Sequence, residues 1–263
     1  MDITRPTPVR TFSIDHLSGE IFDSNAALGQ AAALDARKYI NQALFEKGTA
    51  NIILATGNSQ LSFLHALRDL DGIEWGKVSV FHMDEYVHLD PAHSASFPLF
   101  LRRHLIDFVN PGKFYAIPGG AVDAEQGCRD YEKLLHENPP DMVALGYGEN
   151  GHLAFNDPPA ARFFDSRWVK VVQLAEKSRQ QQFEEGHFDS LAEVPTHAVT
   201  LTIPALLQAK QILCIVPEAR KAESVYGCLC TPISEDHPGS ILRAVKNAHI
   251  YLDTESAAKL KAG

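Results

Sequence analysis

The chain has 263 residues, 45% hydrophobic and 22% charged. That is apolar material enough for one large α/β domain or two small ones, and it excludes a disordered chain. The formal net charge of −9 excludes a broad nucleic-acid face, which needs clustered Lys and Arg, but leaves room for one small anion held by local cations and backbone N–H groups.

The first ten residues are polar and carry Pro6 and Pro8, without the apolar stretch of a signal peptide. No run of 18 apolar residues follows, so no transmembrane helix is expected. A cytoplasmic protein without a membrane or nucleic-acid partner is the expectation. Residues 26–45 carry Leu28, Ala32, Tyr39, Ile40, Ala43 and Leu44 at helical spacing. Residues 51–55 (NIILA) then form a short apolar run of the kind buried on both faces of a parallel sheet.

The loop after that run is Thr56, Gly57, Asn58 and Ser59. Gly57 permits close backbone approach or a positive φ, and Ser59 is a plausible N-cap for a helix over 59–70. The N–H groups of such a helix start, with two hydroxyls, suit a phosphate. The Gly-Lys-Thr/Ser ending of a P-loop is absent. Residues 78–83 (VSVFHM) form the next strand, and Asp84 and Glu85 follow it. Neighbouring side chains on an extended segment point to opposite faces. One acid can therefore serve as a base in a cleft while cations or N–H groups hold the other.

A helix over 123–136 and a strand over 141–145 come next, then a loop with Gly146, Gly148 and Gly151 in six residues. His152 sits in this loop with Asp157 five residues on. Imidazole exchanges protons near neutral pH, and a nearby carboxylate fixes its tautomer. Strands follow at 169–174, 198–203, 211–216 and 248–252, with helices at 204–209 and 218–229. Arg220 and Lys221 lie past the strand 211–216, where cations could complete an anion site. Four cysteines (128, 214, 228 and 230) read as structural. Cys228 and Cys230 form C-x-C rather than the C-x-x-C of metal or redox sites, so no metal is expected. The alternation of strands and helices predicts an α/β fold: a three-layer, Rossmann-like, mainly parallel sheet with helices on both faces. The candidate residues gather beyond the carboxyl ends of strands, where such folds bind ligands.

At these motifs the chain resembles the glucosamine-6-phosphate deaminase family, relatives of the 6-phosphogluconolactonases, from about residue 51 to 253. The matching stretches are 56–59, FHMDEYVHL at 81–89, GENGHLAFNDP at 148–158 and VPTHAVTL at 194–201. The resemblance implies an amino-sugar-phosphate deaminase/isomerase of the hydrolase class, without cofactor. It implies that Asp84, beside Glu85, is the base between C2 and C1. It implies that His152 assists ring opening, tuned by Asn150 and Asp157, and that Thr56, Gly57, Asn58, Ser59 and Lys221 hold the phosphate. Many relatives have Asp at position 150 and Glu at position 157; both changes should hold the imidazole less strongly as a cation. Arg179 is the nearest counterpart of a phosphate-gripping lid arginine. The expectation is one sugar-phosphate domain over 1–263 with a mobile lid at 176–193, in a monomer or a homo-oligomer. Glucosamine 6-phosphate leads as substrate, ahead of galactosamine 6-phosphate, 6-phosphogluconolactone, and a sensor that binds without turnover.

Overall fold

The protein is described by a computed structural model covering residues 4–121, 123–184 and 186–260; the ends of the expected domain and residue 185 of the expected lid lie outside these. Eleven strands are described: β1 (Arg10–Ile14), β2 (Leu17–Phe22), β3 (Ala50–Leu54), β4 (Val78–His82), β5 (Asp84–Tyr86), β6 (Lys113–Tyr115), β7 (Met142–Leu145), β8 (Val169–Gln173), β9 (His197–Leu201), β10 (Gln211–Val216) and β11 (Ala248–Asp253). The helices are α1 (Asn25–Lys47), α2 (Leu61–Arg68), α3 (Phe97–Leu101), α4 (Asp107–Val109), α5 (Ala124–Glu137), α6 (Glu176–Glu184), α7 (Ile203–Leu206) and α8 (Ala222–Cys230). None of the described helices is long and apolar enough to cross a membrane.

Eight strands form one sheet in the order β1-β2-β11-β10-β7-β3-β4-β6. All its pairings are parallel except that of β1 with β2. The central strands β3, β7 and β10 carry almost only buried residues, as required of strands covered on both faces. One face packs against α1 and α2 through Leu28, Ala32, Ile40, Phe63 and Leu67. The other packs against α5 and α8 through Tyr131, Leu135, Val225 and Leu229. The three-layer α/β architecture is thus the one the alternation predicts.

Strands 169–174 and 198–203 are a correction. They do not join the parallel sheet. They form β8 and β9 of a separate antiparallel sheet, ordered β5-β9-β8. Apolar runs of this length look alike in either setting. The short strands β5 and β6 and the N-terminal hairpin escape the pattern too, being brief or polar. The helical stretch that begins at α3 shows a legible signal: Ser96 caps Leu99 N and Pro98 follows in the first turn.

The α1 helix starts on Ser24, whose Oγ accepts from Ala27 N, and ends on Gly48 at φ 78°, the left-handed cap that glycine adopts without strain. Beneath the end of β4, Tyr131 satisfies backbone groups that the short β6 leaves over. Its Oη accepts from His82 N at 3.0 Å, and it lies 3.0 Å from His82 O and 3.1 Å from Tyr115 O as their donor. Tyr131 is buried, so no water can replace it. The variant Tyr131→Phe should lose about 1–3 kcal/mol of unfolding free energy, read from urea denaturation as a lower midpoint at constant slope.

Candidate active site

Chain order reverses between β3 and β7: β4 and β6 lie to one side, β10 and β11 to the other. Such a switch point opens a crevice beyond the carboxyl ends of the strands. The cavity there is lined by Thr56 to Gln60 after β3, Asp84 after β4, Gly146 to Gly148 and His152 after β7, and Lys221 after β10. The second sheet and α6 supply its roof, with Gln181 and Gln182 facing in.

The loop after β3 is built for a close approach. Gly57 has φ 99°, and a Cβ there would meet nothing within 4 Å, so conformation rather than space calls for glycine. Ser59 does not cap a helix. Residues Asn58–Gln60 form a 3₁₀ turn with no side-chain cap, and Gln60 N donates to Gly57 O at 3.0 Å. Gln60 is buried and its Nε2 donates to Ile215 O at 3.1 Å. That bond ties this loop to the end of β10 across Gly146, where a Cβ would press on both partners. Lys221 comes from the β10 side, 3% exposed at the end of a 3₁₀ turn. The turn begins at Glu218, whose φ of 82° is held by a bond from its N–H to Asp253 Oδ2 at 3.0 Å. Arg220 points elsewhere, 2.6 Å from Glu218 and 3.8 Å from Glu149.

Asp84 opens β5 rather than a loop, and it lines the cavity while 8% exposed. Burial, and then the charge of Glu85, push its carboxyl up to about 8. Glu85 faces the other way. Its Oε1 accepts from Tyr86 N and its Oε2 from Ser96 Oγ, both at 2.8 Å. Burial raises Glu85 to about 7 against these bonds. The opposed directions follow the strand alternation, but a hydroxyl and N–H groups hold the second acid, and Glu85 falls outside the cavity lining. Its carboxylate instead clasps the start of α3.

His152 Nδ1 lies 2.7 Å from Asp157 Oδ1, with the two side chains 14% and 5% exposed. Burial would raise Asp157, but the His152 charge and bonds from His152, Asn150 and Ser178 hold it at about 2. An ionised Asp157 makes Nδ1 the protonated nitrogen and leaves Nε2 to the cavity. The shorter arm of Asp157 therefore reaches the imidazole. Asn150 braces the pair, Nδ2 donating to Asp157 Oδ1 at 2.8 Å and Oδ1 accepting from His152 N at 3.1 Å. Gly148 must be glycine, because a Cβ there would overlap the imidazole ring. The loop is pinned to the second sheet by Phe155 N donating to Thr200 Oγ1 at 3.0 Å.

Arg179 is not brought to the site. Its guanidinium donates to Leu191 O and Val194 O at 2.7 and 2.9 Å, and it is absent from the lining. The residues the sequence reading missed are Gln60, Phe97, Ser178, Gln181 and Gln182. Only Phe97 had a local signal, the Ser-Phe-Pro helix start. Among the described residues, no three His, Cys, Asp or Glu side chains are grouped to hold a metal.

Comparison with known proteins adds an independent line. Residues 23–251 match the family model of glucosamine-6-phosphate isomerases/6-phosphogluconolactonase. A glucosamine-6-phosphate deaminase of Bacillus cereus is 33% identical over 219 residues, 83% of this chain and 81% of that one. One from Exiguobacterium sibiricum is 35% identical over 207 residues, 79% of this chain and 80% of that one. The solved structure of a monomeric glucosamine-6-phosphate deaminase superposes with a TM-score of 0.83 at 28% identity, over 91% of this chain and 98% of that one. A 6-phosphogluconolactonase from Shewanella baltica, 20% identical over 92% of this chain and 99% of that one, shares the fold with a TM-score of 0.75.

A raised carboxyl carries a sign that can be checked. The folded state binds the Asp84 proton more tightly than the unfolded chain does, so stability falls as pH rises from about 4 to about 8. Asp84→Asn removes that loss. Its melting temperature should exceed the parent's at pH 8, by roughly 2–4 °C for each kcal/mol of that loss in a chain of this size, with the gap narrowing toward pH 5. Thermal melts at the two pH values measure it.

Proposed function

The chain belongs to the family of glucosamine-6-phosphate isomerases and 6-phosphogluconolactonases, and on that premise we propose that it is a glucosamine-6-phosphate deaminase. It converts glucosamine 6-phosphate and water to fructose 6-phosphate and ammonia, a net hydrolysis at C2. It works in the cytoplasm, in amino-sugar catabolism that follows N-acetylglucosamine breakdown, as one domain whose residues 176–193 close as a lid. The observation that carries this reading is Asp84, a buried carboxylate with a raised pKa in the same cavity as His152 and Lys221. Lactone hydrolysis needs no base of this kind, whereas moving a proton between adjacent carbons does.

The phosphate lies against the 56–59 loop and Lys221, whose charge the cavity buries. That fixes the open-chain carbons above β4 and β7. His152 Nε2 takes the proton of the anomeric hydroxyl and passes it to the ring oxygen as the C1–O5 bond breaks, leaving the aldehyde. Asp84 takes the C2 proton of the free aldehyde, and an enolamine forms. Return of the proton to C1 leaves an imine at C2, and water adds there as ammonia departs. Each positioned acid or base contributes roughly 10²–10⁴-fold. As the base, Asp84 must be ionised, so kcat/KM of the free enzyme rises with pH toward about 8.

The deciding experiment offers glucosamine 6-phosphate, galactosamine 6-phosphate and 6-phosphogluconolactone side by side, reading ammonia and lactone loss. Ammonia from the first sugar at the highest kcat/KM is the expected result. Lactone loss without ammonia, or thermal stabilisation by sugar phosphate without either, refutes the proposal. Asp84→Asn should lose at least about 10²-fold in kcat while still binding fructose 6-phosphate, and Lys221→Ala should raise KM with kcat little changed.

A further inference from the structure

Opening the ring needs His152 to take up a proton and give it away again while the cavity is closed. One side chain touches both conditions. Ser178 lies on α6, 3% exposed. A serine inside a helix usually turns its hydroxyl to solvent or to its own backbone. Here Oγ reaches out of the helix to Asp157, 2.8 Å from Oδ1 and 2.9 Å from Oδ2. The same Oδ1 holds His152 Nδ1. One turn on, Gln182 Oε1 accepts from Tyr86 Oη at 2.8 Å and roofs the cavity with Gln181. Further along, Phe188 seats the segment on Tyr86 and His93, with ring centroids 5.6 and 5.2 Å away. An apolar cluster thus anchors this stretch, and the Ser178 hydroxyl joins it to the imidazole–carboxylate pair.

We infer that Ser178 is a positioning residue that ties closure of α6 to the proton shared by His152 and Asp157. The inference rests on the acid–base and lid roles proposed above. The hydroxyl withdraws charge from the carboxylate. With α6 lifted, Asp157 loses a donor and both members of the pair bind protons more tightly. With α6 closed, the pair releases its proton more readily, which is what donation to the ring oxygen requires. The coupling is reciprocal: the carboxylate holds the helix as the helix tunes the carboxylate.

The other charges around the pair stay in place whatever stands at 178. Asp84 and Lys221 face the cavity. Lys170 borders the far side of Asp157 and is paired to Asp165 at 2.9 Å. On the loop, Glu149 faces Arg220. On α6, Glu176 and Lys177 are exposed and Arg179 is turned to the Leu191 and Val194 carbonyls.

The test follows the His152 imidazole by ¹⁵N NMR titration of the full-length protein, without substrate. Ser178→Ala should move its midpoint upward by roughly half to one pH unit, and Ser178→Thr, which keeps the hydroxyl, should restore it. Asp157→Asn addresses the coupling from the other end. Amide hydrogen exchange over 176–184 should quicken several-fold in it, as in Ser178→Ala. An unmoved titration in folded Ser178→Ala, or unchanged exchange in Asp157→Asn, overturns the inference. If the titration shifts but the parent releases no ammonia from any sugar phosphate, the deaminase reading falls and the coupling stands. If ammonia is released and the titration does not move, the coupling alone falls.

Discussion

The reversal of chain order between β3 and β7 is the constraint on which the site depends. Parallel strands deliver their following loops to one edge of the sheet, and a reversal keeps the neighbouring loops from closing over each other. β10, β7, β3 and β4 are consecutive neighbours there. A cation from residue 221, an imidazole from 152, an N–H loop at 56–59 and a carboxylate from 84 therefore meet, although up to 165 positions separate them. No local feature of any one segment could bring that about.

The second sheet gives the carboxylate its chemistry. Were Asp84 in a solvated turn after β4, water would hold it near the usual carboxylate range. Pairing β5 with β9 seals it instead, with Asp84 opposite Thr200 and Glu85 opposite Val199. Desolvation of one acid beside another then raises it. The same alternation turns Glu85 away to Ser96 and Tyr86 N. Adjacent acids thus take separate tasks, one at the cavity and one fastening α3.

Much of this was legible in the sequence. Apolar runs at 51–55, 78–83, 141–145, 211–216 and 248–252 are strands of the main sheet within a residue or two, because burial on both faces leaves no polar alternation to confuse the reading. Gly57 in the 56–59 loop, the His152–Asp157 pair and Lys221 stood out by residue type and position. Arg179 entered only as the nearest counterpart of a lid arginine in the family the chain resembles, and the fold turned it to two carbonyls. Ser178 and Gln60 did not stand out. Each acts through a contact with a residue far off in sequence, Asp157 or Ile215, and nothing in their neighbours distinguishes them from any surface polar residue.

By itself, then, the sequence determined the long buried strands and the main helices, and which chemical groups stand at strand ends, since both follow from local pattern and residue type. Tertiary structure alone decided which apolar runs form the antiparallel sheet, which of two adjacent acids enters the cavity, and which side chain of the polar segment 176–184 reaches Asp157. The physical reason is that exclusion of water and hydrogen-bond partnership are properties of packed neighbours. A linear pattern records what each residue can do, but not what it is pressed against.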